Sequence, residues 1–64
     1  MKTIPTFMAE NGDFIQFFRV TPPVPGYSHR VTINRAAVDW LSDNSRPSKK
    51  TAEYFHGKHT TTEM

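Results

Sequence analysis

Cysteine is absent from the 64 residues of this chain. That excludes a disulfide framework, a thiolate metal site and a cysteine nucleophile, the usual staples and chemistries of a small fold. Long apolar runs are missing too. The densest stretch, "DFIQFFRV" over residues 13–20, interleaves its apolar side chains with polar ones and falls far short of the roughly 20 residues a membrane span needs. The opening "MKTIPTFMAENGD" carries one lysine but no apolar core of signal-peptide length. A cytoplasmic protein with no membrane partner is the expectation, and the initial Met suggests a complete short reading frame.

Charge of one sign is also scarce, since the net charge is only +2. Over residues 1–45, Lys2, Arg19, Arg30 and Arg35 balance Glu10, Asp13, Asp39 and Asp43. Over residues 46–59, Arg46, Lys49, Lys50 and Lys58 then face Glu53 alone. Basicity therefore lies in a tail over residues 45–64, able to attract phosphate or an acidic surface. The simpler reading of such a tail is a solvated segment that aids solubility.

Catalytic and cofactor patterns are thin. His56 and His59 form H-x-x-H, with His29 elsewhere. Three histidines can hold zinc, but this pair lacks cysteine and an evident supporting shell, so no metal is assigned. "AEYFHGKHT" approaches a phosphate-binding loop but has Ala52 where glycine is needed and His59 where Ser or Thr is needed. Asp39 with Asp43, and Glu10 with Asp13, are carboxylate pairs without room for a substrate cleft in so short a chain. Ser28 beside His29, and Ser42 and Ser48 elsewhere, follow no triad or elbow order. No catalytic residue and no cofactor is assigned, and an enzyme is not the expectation.

What is present is a pattern of short elements in a single small domain. "TIPTFMA" reads as an edge strand, because Pro5 cannot donate to a ladder. Asn11-Gly12 predicts a two-residue hairpin loop. That register sets Glu10 opposite Asp13, Met8 opposite Ile15 and Phe7 opposite Gln16, with a like-charge contact that a longer loop would relieve. In the second strand Phe14, Phe18 and Val20 alternate with Ile15 and Phe17. "TPPVPGYS" reads as a stiff irregular connection, and "HRVTI" as a third strand with Val31 and Ile33 on one face. Asn34 suits a helix cap, and Ala37, Trp40 and Leu41 follow at helical spacing, giving a helix over about residues 35–44. A second short helix can form between Ser48 and Gly57, and the end of the chain is expected to fray. The predicted class is α+β, a three-stranded antiparallel sheet under the Trp40 helix, with an ordered core over about residues 3–44.

One helix covers one sheet face, which leaves Ile15 and Phe17, with Ile4 and Met8, on the other. The tail helix can fold back over them through Tyr54 and Phe55, two copies can pair there as a homodimer, or the face can dock a different macromolecule. The function expected is non-enzymatic docking onto another protein. Ile15, Phe17 and Tyr27 supply the apolar centre, and Arg19 and Arg30 the rim. In style the chain resembles the small regulators and inhibitors encoded by phages and other mobile elements. The alternative is a nucleic-acid binder using Arg30, Arg46, Lys49, Lys50 and Lys58. In outline a three-stranded sheet on a helix resembles the DNA-binding arm of integrase-type proteins, although the balanced first 45 residues lack the concentrated basic face of a duplex reader.

Overall fold

The computed structural model describes residues 4–57 and 61–64. Strands β1 (Thr6–Ala9) and β2 (Phe14–Val24) form the first hairpin, one residue away from the expected register. Thr6 pairs with Gln16, Phe7 with Ile15 and Met8 with Phe14. Ala9 N–H donates to the Asp13 carbonyl at 2.7 Å, and Gly12 N–H to the Ala9 carbonyl at 3.0 Å. The loop therefore includes Glu10 as well as Asn11 and Gly12. Gly12 adopts φ +95°, the left-handed position that closes such a loop. Glu10 and Asp13 no longer face each other. Because side chains alternate, the slip brings Phe7 and Ala9, rather than Met8, onto the face of Ile15 and Phe17.

The proline-rich stretch read as irregular is the far half of β2, which continues to Val24 through a cis Thr21–Pro22 bond. Prolines are tolerated there because the pairing with β3 (Tyr27–Ile33) is irregular between Arg19 and Val24. Pro25 and Gly26 make the turn.

The helix expected over residues 35–44 is instead strand β4 (Ala36–Ser42). Asn34 and Arg35 both take positive φ, 50° and 70°, and Ile33 pairs with Ala36 across them. That is a tight two-residue hairpin turn, which folds the chain back along β3. Asn34 is a turn residue here, not a cap. The helical spacing of Ala37, Trp40 and Leu41 rested on few positions, and the β-forming Val38 and Trp40 fit the strand equally well.

One helix is present among the described residues, α1 (Lys49–His56), in the segment where a short second helix was the lesser expectation. Ser48 and Thr51 form a reciprocal capping box: Thr51 N–H donates to Ser48 Oγ at 3.2 Å, and Ser48 N–H to Thr51 Oγ1 at 2.9 Å. The frayed end is also corrected, since β5 (Thr61–Glu63) pairs antiparallel with β1.

The sheet thus has five strands, not three, in the order β4-β3-β2-β1-β5. The chain leaves one edge after β4, crosses a face as α1 and returns as the opposite edge. Phe7, Ala9, Ile15, Phe17, Val31 and Leu41 from the sheet bury against Ala52 of α1, with Ile33 and Phe55 packed at the margin. Phe17 meets Phe7 edge-on at 5.9 Å and Phe55 at 6.4 Å between ring centroids. The second apolar face posed by the sequence is covered by α1, through Ala52 and Phe55, while Tyr54 points to solvent. The integrase-type resemblance required a three-stranded sheet and does not carry over to this topology.

Candidate interaction surface

Register decides which side chains α1 leaves uncovered. Phe18 of β2 pairs with Arg30 of β3, which pairs with Trp40 of β4. All three alternate away from the buried Phe17, Val31 and Leu41, so they form one row across the helix-free face. The Arg30 guanidinium carbon lies 5.3 Å from the centroid of the Trp40 ring, within cation–π range. Tyr27 joins from the start of β3, its ring 5.7 Å from that of Trp40 and tilted by 51°. Val38 stands beside them. Asp39 pairs with Val31 and Ala37 with Thr32, which leaves Val38 as the extra residue of a bulge.

These side chains are large and open to solvent: Trp40 is 40% exposed, Tyr27 46% and Val38 51%. The neighbouring row is polar and internally bonded. Gln16 Nε2 donates to Thr6 Oγ1 at 3.2 Å, and Thr32 Oγ1 to the Gln16 carbonyl at 3.4 Å. The face is an aromatic and arginine centre beside a quiet polar flank. Two hollows adjoin it, one of about 350 Å3 beside Phe18, Val20 and Thr32, the other of about 370 Å3 beside Ala37, Val38 and Asp39. Arg30 lines both.

The residues expected to dock a partner are not all brought together. Tyr27 and Arg30 meet at Trp40. Ile15 and Phe17 are fully buried in the core and belong to the helix-covered face, a correction to their placement on an open surface. Arg19 pairs with His29 toward the end of β2, where strand alternation turns it from the central row, although it also lines the hollow beside Phe18 and Arg30. Burial, and then the charge of Arg19, hold the His29 imidazole below the ordinary histidine value. Trp40, Phe18 and Val38 are the surface residues the sequence reading missed. Trp40 was assigned to a helix stripe, and the alternation of Phe18 with Phe17 was the one available signal.

The basic residues of the nucleic-acid alternative are dispersed. Arg30 lies on the open face, whereas Lys49 and Lys50 belong to α1 on the other side of the sheet and Arg46 precedes that helix. Lys49 Nζ is 3.9 Å from Glu53 Oε2. Lys58 and His59 lie outside the described residues. His56, the other half of H-x-x-H, has its Nε2 2.9 Å from Asp13 Oδ2. No group of three His, Asp or Glu side chains suited to a metal ion occurs among the described residues. Nor is any described helix long and apolar enough to cross a membrane.

No protein-family model, no curated protein and no solved structure matches this chain.

Proposed function

We propose that this is a non-enzymatic binding protein that docks onto another protein through the open sheet face centred on Trp40, Arg30, Tyr27 and Phe18. It would act as a small regulator or inhibitor by occupying the partner's working surface. The observation that carries this reading is the Phe18–Arg30–Trp40 row, solvent-exposed on the face that α1 leaves bare. Trp, Tyr and Arg are the side chains most enriched at binding hot spots. A chain this small gains little by leaving them in water, since it buries only about 60% of the surface its unfolded form exposes. Protein is favoured over nucleic acid because the cations do not surround the aromatics. A backbone-tracking groove needs several cations along the strand. Among the described residues Arg30 is the one cation in the central row, where it already lies against the Trp40 ring, and Arg19 adds a second only at the margin, in the hollow beside Phe18.

The test is affinity capture from lysate with the wild-type chain and Trp40→Asp as paired baits, each with and without nuclease. A protein retained by the wild type after nuclease and lost with a folded Trp40→Asp supports docking through this face. Capture that vanishes with nuclease, or that is equal for both baits, contradicts it.

A further inference from the structure

We propose that Asn11 is a site of spontaneous covalent modification, at which the Gly12 nitrogen displaces the side-chain amide and water then leaves a new carboxylate beside Asp13, loosening the first hairpin from the end of α1. None of the residues involved belongs to the Phe18–Arg30–Trp40 row, and the modification is independent of docking there.

Three asparagines occur in the chain, and Asn11 alone precedes glycine. Asn11 and Gly12 are both exposed, and the side of Gly12 where a Cβ would stand is open space, so water reaches the loop freely. Asp13 N–H donates to Asn11 Oδ1 at 3.2 Å. That bond spans the Gly12 peptide and folds the carboxamide back toward the Gly12 nitrogen. It also places a donor where negative charge develops when the carboxamide carbon is attacked. Gly12 N–H is held by the Ala9 carbonyl at 3.0 Å, so the step waits for a local opening of that bond. Asn34 and Asn44 lack these conditions. Arg35 and Ser45 put side chains beside the nitrogen that would attack. The Asn34 carboxamide is also committed at both atoms, accepting the Phe14 N–H at 3.1 Å and donating to Asp13 Oδ1 at 2.9 Å.

In the first step the bond between the Gly12 nitrogen and Asn11 Cγ forms and the Cγ–Nδ2 bond breaks. The Gly12 proton, passed through solvent, leaves with Nδ2 as ammonia. Water then opens the cyclic imide. Cleavage at Cγ gives aspartate, and cleavage at the main-chain carbonyl carbon gives isoaspartate, whose backbone runs through Cβ and is one atom longer. Either product costs Asp13 a donor, since Asn11 Nδ2 now donates to Asp13 Oδ2 at 3.1 Å, and adds a like charge beside it. The Asp13 carboxyl is held down to about 2 chiefly by its hydrogen bond with His56, then by those from Asn34 and Asn11, so the exchange moves it upward. The consequence reaches α1. His56 Nε2 lies 2.9 Å from Asp13 Oδ2, its side chain is 5% exposed, and its Nδ1 is buried without a hydrogen-bond partner. Asp13 is therefore the sole partner of that ring among the described residues, and displacing its carboxylate leaves a buried polar ring unsatisfied.

The experiment ages the full chain in warm, mildly alkaline native buffer and in urea, and follows both by peptide mass spectrometry. Asn11→Ser, which has no amide to displace, is aged in parallel. The expected result is that the peptide holding Asn11 gains the mass of an amide-to-acid exchange in native buffer, part of it marked by an isoaspartyl methyltransferase. The peptides holding Asn34 and Asn44 should not change. The aged fraction should unfold at a lower urea concentration than fresh protein, and its Asp13 carboxyl should titrate by NMR above the fresh value, toward the ordinary 3.8. Asn11→Asp, made directly, should reproduce the raised Asp13 titration, and Asn11→Ser should keep its urea midpoint throughout. No conversion at Asn11, conversion in urea but not in native buffer, or equal conversion at Asn34 or Asn44 overturns the assigned site. Conversion that leaves either the urea midpoint or the Asp13 titration unchanged overturns the loosened contact.

Discussion

At Asp13 a single carboxylate gathers donors from three separate parts of the chain. His56 Nε2 at the end of α1 lies 2.9 Å from Oδ2, Asn34 Nδ2 of the β3–β4 turn 2.9 Å from Oδ1, and Asn11 Nδ2 of the first loop 3.1 Å from Oδ2. The hydrogen bond from His56 is the leading cause, followed by those from Asn34 and Asn11, that the Asp13 carboxyl is held down to about 2. The folded value lies below the ordinary 3.8 of the unfolded chain. Its contribution to stability is therefore present above pH of about 4 and is lost as pH falls toward about 2. Asp13→Asn should flatten the acid limb of the stability profile in that window, measured as denaturation midpoints across the acid range. An unchanged limb would mean that the carboxylate is not the linkage group. The sequence marked Asp13 only as a residue flanking the first turn, in a carboxylate pair with Glu10. Its partners are distant in the chain and become visible only once the topology brings α1 back over the hairpin.

Among the elements, the turns carried most of what the sequence left unread. Asn11-Gly12 correctly marked a hairpin, but the extra loop residue changed the register and with it the membership of the core. Asn34-Arg35 was misread because asparagine serves both as a helix cap and as a left-handed turn residue, and arginine seldom takes positive φ. Strands β2 and β3 were legible from the alternation of Phe14 to Phe18 and of Val31 to Ile33. Strand β5 was not, because "TTE" carries no apolar signal and owes its place to pairing with β1. The β3–β4 turn also yields a prediction. Arg35 at φ 70° occupies a region that costs a non-glycine residue on the order of 1–2 kcal/mol. Arg35→Gly removes that cost and adds a smaller one in chain entropy. It should raise stability by up to about 1 kcal/mol in urea denaturation, whereas a loss of stability would contradict the turn geometry.

For the molecule as a whole, the sheet has one face sealed by α1 and one that no described element covers, and identical chemistry has opposite consequences on the two. Phe17 is 1% exposed and packs between Phe7 and Phe55. Phe17→Ala should cost about 3–5 kcal/mol, comparable to the whole stability of so small a domain, and Phe17→Asp should unfold the protein by circular dichroism. Trp40→Asp, on the open face, should leave the spectrum of the fold intact. The sequence identified Tyr27 and Arg30 as surface residues and an apolar second sheet face as the central question. It offered the tail helix, through Tyr54 and Phe55, as one of three covers, and the structure realises that one through Ala52 and Phe55. The sequence did not choose among the three, because α1 has a narrow apolar stripe whose target is set by the return of the chain to β5.

Trp40 is the only tryptophan in the chain, so its fluorescence reports on the proposed docking face without labelling. The decisive measurement is its emission and acrylamide quenching during titration with the nuclease-resistant protein captured by the wild-type chain. Docking through this face predicts a saturable blue shift and loss of quenching as the indole leaves water. Saturable binding measured in parallel, with emission and quenching unchanged, would contradict it.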